Sequence, residues 1–305
     1  MLSDDPFPII DVTGWVSVEE EASGATPKLW LAEPGTEPEV HWLFKAVTVK
    51  YDHVHGEDWA EKAASHLGAF LALPCATVEL ARWNAFNGCI SRNLRPRSCQ
   101  MQPGRAQLEK RSAPGYVHRS KGKDHPGHTL DNIKAVLSNA LPPPDCALPF
   151  GGSAFDVFAG YVMFDAWIAN QDRHDHNWSV LIPGTATPGP TRLSGSYDHG
   201  SSLGFGVQDA KCEELLAMRG GIERWCARGQ AMRLEGRPSL VDGARQALEL
   251  ASPKARAHWL KQLQRVRDSD VQRVMDRIPR MSDAQRSFAV KLLEVNRRRL
   301  LHVCA

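Results

Sequence analysis

The stretch Asn170-Gln171-Asp172-Arg173-His174-Asp175-His176-Asn177 lies between two segments of opposite character. Before it, residues 154–169 (AFDVFAGYVMFDAWIA) are apolar on nearly every side, which predicts a helix buried all round in a core. After it, residues 178–182 (WSVLI) read as a short buried strand. Polar residues concentrated between two core elements mark a site, because buried scaffolding holds their geometry while the loop exposes their heads. A second polar cluster, residues 197–205 (YDHGSSLGF), follows beyond another short segment and a turn. Two polar clusters therefore bracket one hairpin.

Phosphoryl transfer accounts for this grouping. The reaction needs a carboxylate that positions the attacking hydroxyl and takes its proton, and oxygen ligands that hold Mg²⁺ against nucleotide phosphates. In protein kinases the catalytic Asp precedes a metal-binding Asn by five residues, and a second metal-binding Asp follows past a hairpin in D-F-G. Here Asp172 precedes Asn177 by five residues, and Asp198 stands in D-H-G. Each has a plainer reading when taken alone: a loop cap or a pair with Arg173 for Asp172, a turn for Asn177, a strand end for Asp198. Their shared order and spacing outweigh those readings.

The order D-R-H together with D-H-G resembles the HipA-like kinases and, more distantly, the phosphoinositide kinases. The resemblance spans roughly residues 20–210 and implies an α+β, two-lobed protein-kinase-like fold. A small β-rich lobe is expected over 1–104 and a mainly helical lobe over 105–305. SGATPK at 23–28 is similar to the family's glycine-containing loop, which would set Ser23, Gly24, Ala25 and Thr26 against the nucleotide phosphates. Lys45 in WLFK is similar to the strand lysine that binds phosphates, and Glu61 to the helix glutamate that supports it. NGCISR at 87–92 looks like the hairpin before the nucleotide hinge, with Met101 and Gln102 expected along the adenine.

By the same resemblance Asp172 is the catalytic carboxylate, His174 a hydrogen-bonding support of its loop, and Asn177 and Asp198 the metal ligands. The implied cofactors are ATP and Mg²⁺, with Mn²⁺ as a substitute, and the implied partner is a protein substrate accepting phosphate on Ser or Thr. Ser23 and Thr26 are candidate self-phosphorylation sites, where added negative charge beside the nucleotide phosphates disfavours ATP binding. HipA carries an additional amino-terminal partner-binding region without a counterpart before Ser23. Pairing with a DNA-binding antitoxin is therefore not carried over, and a regulatory partner of another kind stays open.

The acceptor stays open too. The same fold serves phosphoinositide or small-molecule hydroxyls, and a nucleotide-binding pseudokinase uses it without chemistry. His174, His176 and His199 invite a transition-metal reading, but a helical H-E-x-x-H is absent. The basic run 119–125 (RSKGKDH) reads as a solvated loop, so nucleic-acid binding is not indicated.

The rest of the chain sets limits. With 305 residues, 42 % hydrophobic, 24 % charged and a net charge of +2, it is an ordinary globular protein, neither disordered nor polycationic. The opening MLSDDPFPII has acidic residues where a secretory signal has basic ones, and no segment has the roughly 20 apolar residues needed to span a bilayer. A cytoplasmic location without membrane insertion is expected. The 7 cysteines are scattered and never form C-x-x-C, which argues against a disulfide framework or thiolate zinc site. Residues 28–32, 41–49 and 76–83 predict strands, and Trp59 to Leu71 a helix. AFNG at 85–88 predicts a hairpin turn, and 95–127 a crossing between lobes plus a mobile surface loop. Ser282 and Gln285 have capping-box spacing before a final helix in a carboxyl-terminal packing layer.

Overall fold

Short strands need partners, and here they find them in one sheet. The computed structural model describes residues 4–20, 28–36, 40–50, 53–117, 125–144, 146 and 148–304. Strands β1 (Ile9–Asp11), β2 (Val16–Glu20), β3 (Lys28–Ala32) and β4 (His41–Ala46) are followed by a small hairpin, β5 (Val49–Lys50) and β6 (His53–Val54). Helix α1 (Glu57–Phe70) then leads to β7 (Val78–Trp83) and β8 (Phe86–Arg92). The sheet order is β1-β7-β8-β4-β3-β2, antiparallel except for β1 beside β7. Alternation sends Val12, Leu31, Phe44, Ala81 and Ile90 to one face. The other face is covered by α1, whose Ala60, Ala63, Ala64 and Leu67 are fully buried.

Three local expectations are corrected. The strand foreseen over 41–49 stops at Ala46, because Val47 N–H turns to Asn87 O and Thr48 N–H to the Glu57 carboxylate. The turn foreseen at 85–88 lies earlier: Trp83 pairs with Phe86, and Asn84 takes the left-handed conformation at φ +51°. Gly88 is already in β8, where a Cβ would lie 2.0 Å from Lys45 O, so close backbone approach is what requires glycine there. The region 95–127, foreseen as crossing and loop, contains β9 (Cys99–Pro103) and α2 (Gly104–Lys110).

From α3 (Leu130–Leu137) onward the chain is mainly helical. Helix α4 (Ala154–Ile168) is buried along its whole length, starts in a Ser153–Asp156 capping box and ends at Ala169, left-handed at φ +57°. It is packed by α7 (Leu240–Leu250), α8 (Pro253–Arg265) and α10 (Asp283–Val303). Helices α5 (Asp209–Ala217), α6 (Gly221–Ala227) and α9 (Asp268–Asp276) complete this layer, and the Ser282–Gln285 capping box of α10 forms. Directly after α4 come the polar loop and then β10 (Ser179–Pro183), which pairs with β9 and β11 (Arg192–Leu193). Among the described residues no helix is long and apolar enough to cross a membrane.

Candidate active site

The abrupt end of α4 shapes the loop after it. Asn170 folds back on the last helical turn, its backbone N–H donating to Asp165 O and its side-chain amide to Asp165 Oδ1, both at 2.8 Å. Asn170 Oδ1 then accepts from Asp172 N–H at 3.2 Å. Arg173 turns inward and is buried. It donates to both Asp165 oxygens at 2.7 and 2.8 Å, to Asn177 O at 2.6 Å and to Ser196 Oγ at 2.9 Å. One guanidinium thus ties together α4, the polar loop and the segment before Asp198. Arg173 is not the partner of Asp172.

The loop closes on itself. Asn177 Nδ2 donates to Asp172 O at 2.7 Å, so the five-residue spacing places the two on one turn. That bond uses the amide's nitrogen and leaves its oxygen as the atom able to meet a hard cation. His174 accepts from His176 N–H at its Nδ1 (3.1 Å), and its carbonyl accepts from Asn177 N–H at 2.9 Å. Burial holds the His174 imidazole below the ordinary histidine value against the pull of Asp172 and Asp198.

The second cluster meets the sheet. Asp198 sits at φ +62°, a conformation that costs a non-glycine residue energy and that the surrounding contacts hold in place. Lys45 Nζ donates to Asp198 Oδ1 at 2.5 Å and to Glu61 Oε1 at 3.1 Å, while Glu61 Oε2 accepts from His199 N–H at 3.0 Å. Glu57, one helical turn before Glu61, instead receives Thr48 N–H. His199 itself is buried, with Nε2 2.8 Å from Ser196 Oγ and its ring edge-on to Phe164. One strand lysine, one helix glutamate and the D-H-G segment therefore form a single network across the sheet and helical parts.

Burial opposes charge on both ends of the Lys45–Asp198 pair, yet the pair wins. The two carboxylates hold the Lys45 ammonium well above the usual lysine range, and that ammonium holds the Asp198 carboxyl below the usual carboxylate range. Lys45 also lines a cavity of about 510 Å³ between β3, β4, the chain after β8, β9 and Asp198. Its walls are apolar at Trp30, Leu43 and Met101 and polar at Ser91, Asn93 and Asp198, a mixed lining that suits a flat heterocycle with a charged tail.

Met101 thus reaches the cavity, whereas the Gln102 side chain accepts from Gln107 at 2.7 Å. Ser23, Gly24, Ala25 and Thr26 lie outside the described residues, as do 119–124 of the basic run. Residues 93–95, between β8 and β9, line the cavity but carry no motif. Arg233 was equally hidden in the sequence: its Nε donates to Asp172 Oδ1 at 2.5 Å from a loop 61 residues away. For a cation, Asn177 and Asp198 offer oxygen donors of the kind Mg²⁺ prefers. Among the described residues, no group of three or more His, Cys, Asp or Glu is arranged to hold a metal ion.

No protein-family profile and no curated protein matches the chain in sequence. Solved structures do match it in fold. It is similar to the proinflammatory kinase CtkA of Helicobacter pylori, with a TM-score of 0.73 and 16 % identity over 97 % of this chain and 96 % of that one. It is also similar to HipA of Shewanella oneidensis MR-1, solved in a toxin–antitoxin complex with HipB and operator DNA. There the TM-score is 0.56 and the identity 14 %, over 95 % of this chain and 66 % of that one. The chain has the two-lobed, kinase-like α+β fold of these proteins.

Proposed function

We propose that this chain, folded like those two proteins, is an ATP-dependent kinase that transfers the γ-phosphate to a Ser or Thr hydroxyl of a protein. The observation that carries the proposal is the network in which Lys45 is held between Glu61 and Asp198 at the edge of the cavity. A lysine so fixed presents its charge to phosphates without an entropic cost at the moment of binding.

In this reading Lys45, supported by Glu61, binds the nucleotide phosphates. The residues around Met101 and 91–95 take the adenine. Asp172 orients the acceptor hydroxyl and takes up its proton. Asn177 and Asp198 would hold Mg²⁺, which when bound supplies neutralisation of phosphate charge. Catalysis then rests on positioning and charge, with no covalent intermediate on the protein.

The test is transfer of label from γ-labelled ATP in the presence of Mg²⁺ or Mn²⁺, read on the protein itself, on cell-lysate proteins, on lipid and on released phosphate. Label on Ser or Thr of a protein supports the proposal. Label on lipid alone moves the acceptor to phosphoinositides, and no transfer to any acceptor, water included, sinks the kinase reading.

A further inference from the structure

Asp172 has one charged partner whose role the reading above does not use. Arg233 Nε donates to Asp172 Oδ1 at 2.5 Å. His174 Nε2 stands 3.9 Å from Asp172 Oδ2, beyond hydrogen-bonding distance, and Arg173 is committed to the interior. Arg233 is therefore the cation that touches this carboxylate among the described residues.

The arginine's backbone is anchored, through His128, to Trp178 at the end of the loop that carries Asp172. Arg233 O accepts from His128 Nδ1 at 2.6 Å, and His128 Nε2 accepts from the Trp178 indole N–H at 3.2 Å. A carbonyl can only accept and an indole can only donate, so the imidazole between them is fixed as the Nδ1–H tautomer. His128 is buried, and burial keeps it below the ordinary histidine value, so it stays neutral in this bridge. Glu235 N–H donates to His128 O, Ala231 N–H to Pro238 O, and Leu234 is buried beneath them. Since Trp178 directly follows Asn177, the loop bearing Arg233 is registered against the loop bearing Asp172.

We infer that Arg233 is a positioning residue for the proposed transfer, holding Asp172 by one carboxylate oxygen and leaving the other to orient the acceptor hydroxyl. A stability role does not explain it: the pair is 41 % and 29 % exposed at its two ends, and such pairs contribute little to folding. The inference rests on the kinase reading.

The test uses the full chain with γ-labelled ATP, Mg²⁺ and dephosphorylated casein as a general acceptor, scoring self-transfer as well. Arg233→Ala is expected to lower kcat about 10²-fold, the scale of a displaced catalytic group. Its melting temperature and its Kd for ATP should stay at the wild-type values. Arg233→Lys should keep an intermediate rate, and millimolar guanidinium should restore part of the rate of Arg233→Ala but add nothing to wild type. Arg245→Ala, which removes a surface pair with Glu249 on α7, should transfer like wild type. An active wild type with an equally active Arg233→Ala overturns the role of Arg233 alone, as does a loss that guanidinium does not restore. A wild type that transfers nothing overturns the kinase reading and this inference with it.

Discussion

Replacing Arg173 with Met keeps most of its apolar volume and removes every donor. The buried Asp165 carboxylate then loses two charge-assisted bonds and keeps only that from Asn170. Asn177 O and Ser196 Oγ lose a donor each. Breaking a buried ion pair by removing one partner costs about 3–5 kcal/mol, and each lost hydrogen bond to a neutral acceptor adds roughly 1 kcal/mol. Because contacts within one network do not add, the expected loss is about 4 kcal/mol. That is a large part of the roughly 5–15 kcal/mol that holds a domain folded. Urea unfolding followed by tryptophan fluorescence reads it as a shift in midpoint. The double variant Arg173→Met/Asp165→Asn no longer buries an unpaired charge, so it should recover about 2 kcal/mol relative to the sum of the single losses. A single variant that loses less than about 1 kcal/mol, or two single losses that simply add, would refute the reasoning.

Other outcomes follow from single contacts. Lys45→Met should weaken ATP binding at least about tenfold, or 1.4 kcal/mol, in a titration with a fluorescent ATP analogue; unchanged affinity contradicts its placement against phosphate. Gly88→Ala should cost about 3 kcal/mol by thermal melting, because the added Cβ would lie 2.0 Å from Lys45 O and backbone must move. His66, stacked on Phe7, is pushed down to about 4 by burial first and then by Lys62 and Arg277. The folded state thus keeps it neutral while the unfolded chain takes a proton near 6.5. The stability from this site is full above pH 6.5 and is lost as pH falls toward 4, by about 2 kcal/mol after discounting for partial solvent contact. Urea midpoints at pH 7 and 4.5 should converge in His66→Phe, and an unchanged pH slope contradicts this assignment.

What was legible in the sequence is what chemistry or burial dictates locally. Helix α4 is apolar on every side, and only a central buried helix has that pattern. Asp172, Asn177 and Asp198 stood out because the proposed phosphoryl transfer would fix their spacing. Strands β1 and β2 did not: Ile9–Asp11 is short and largely exposed, and its partner β7 lies far along the chain. Strand β9 escaped because Cys-Gln-Met-Gln-Pro is short, holds no β-branched or aromatic residue and ends in Pro, and its pairing with β10 supplies the order. Gly88 looked like a turn glycine, yet it serves the approach of two strands, while Asn84 makes the turn. Arg173 read as a neighbour of Asp172 and was drawn inward by Asp165. Arg233 carried no signal, since only folding brings its loop to Asp172.

In the proposed kinase, Asp172 does chemistry on a nucleotide held by other residues. Calorimetric titration with Mg²⁺ and ATP, paired with γ-phosphate transfer, should therefore separate binding from catalysis in Asp172→Asn. This variant should keep wild-type affinity for ATP and slow transfer about 10³-fold, the scale of a lost general base. Transfer by Asp172→Asn at the wild-type rate, or a wild type that binds ATP and turns nothing over, would contradict it.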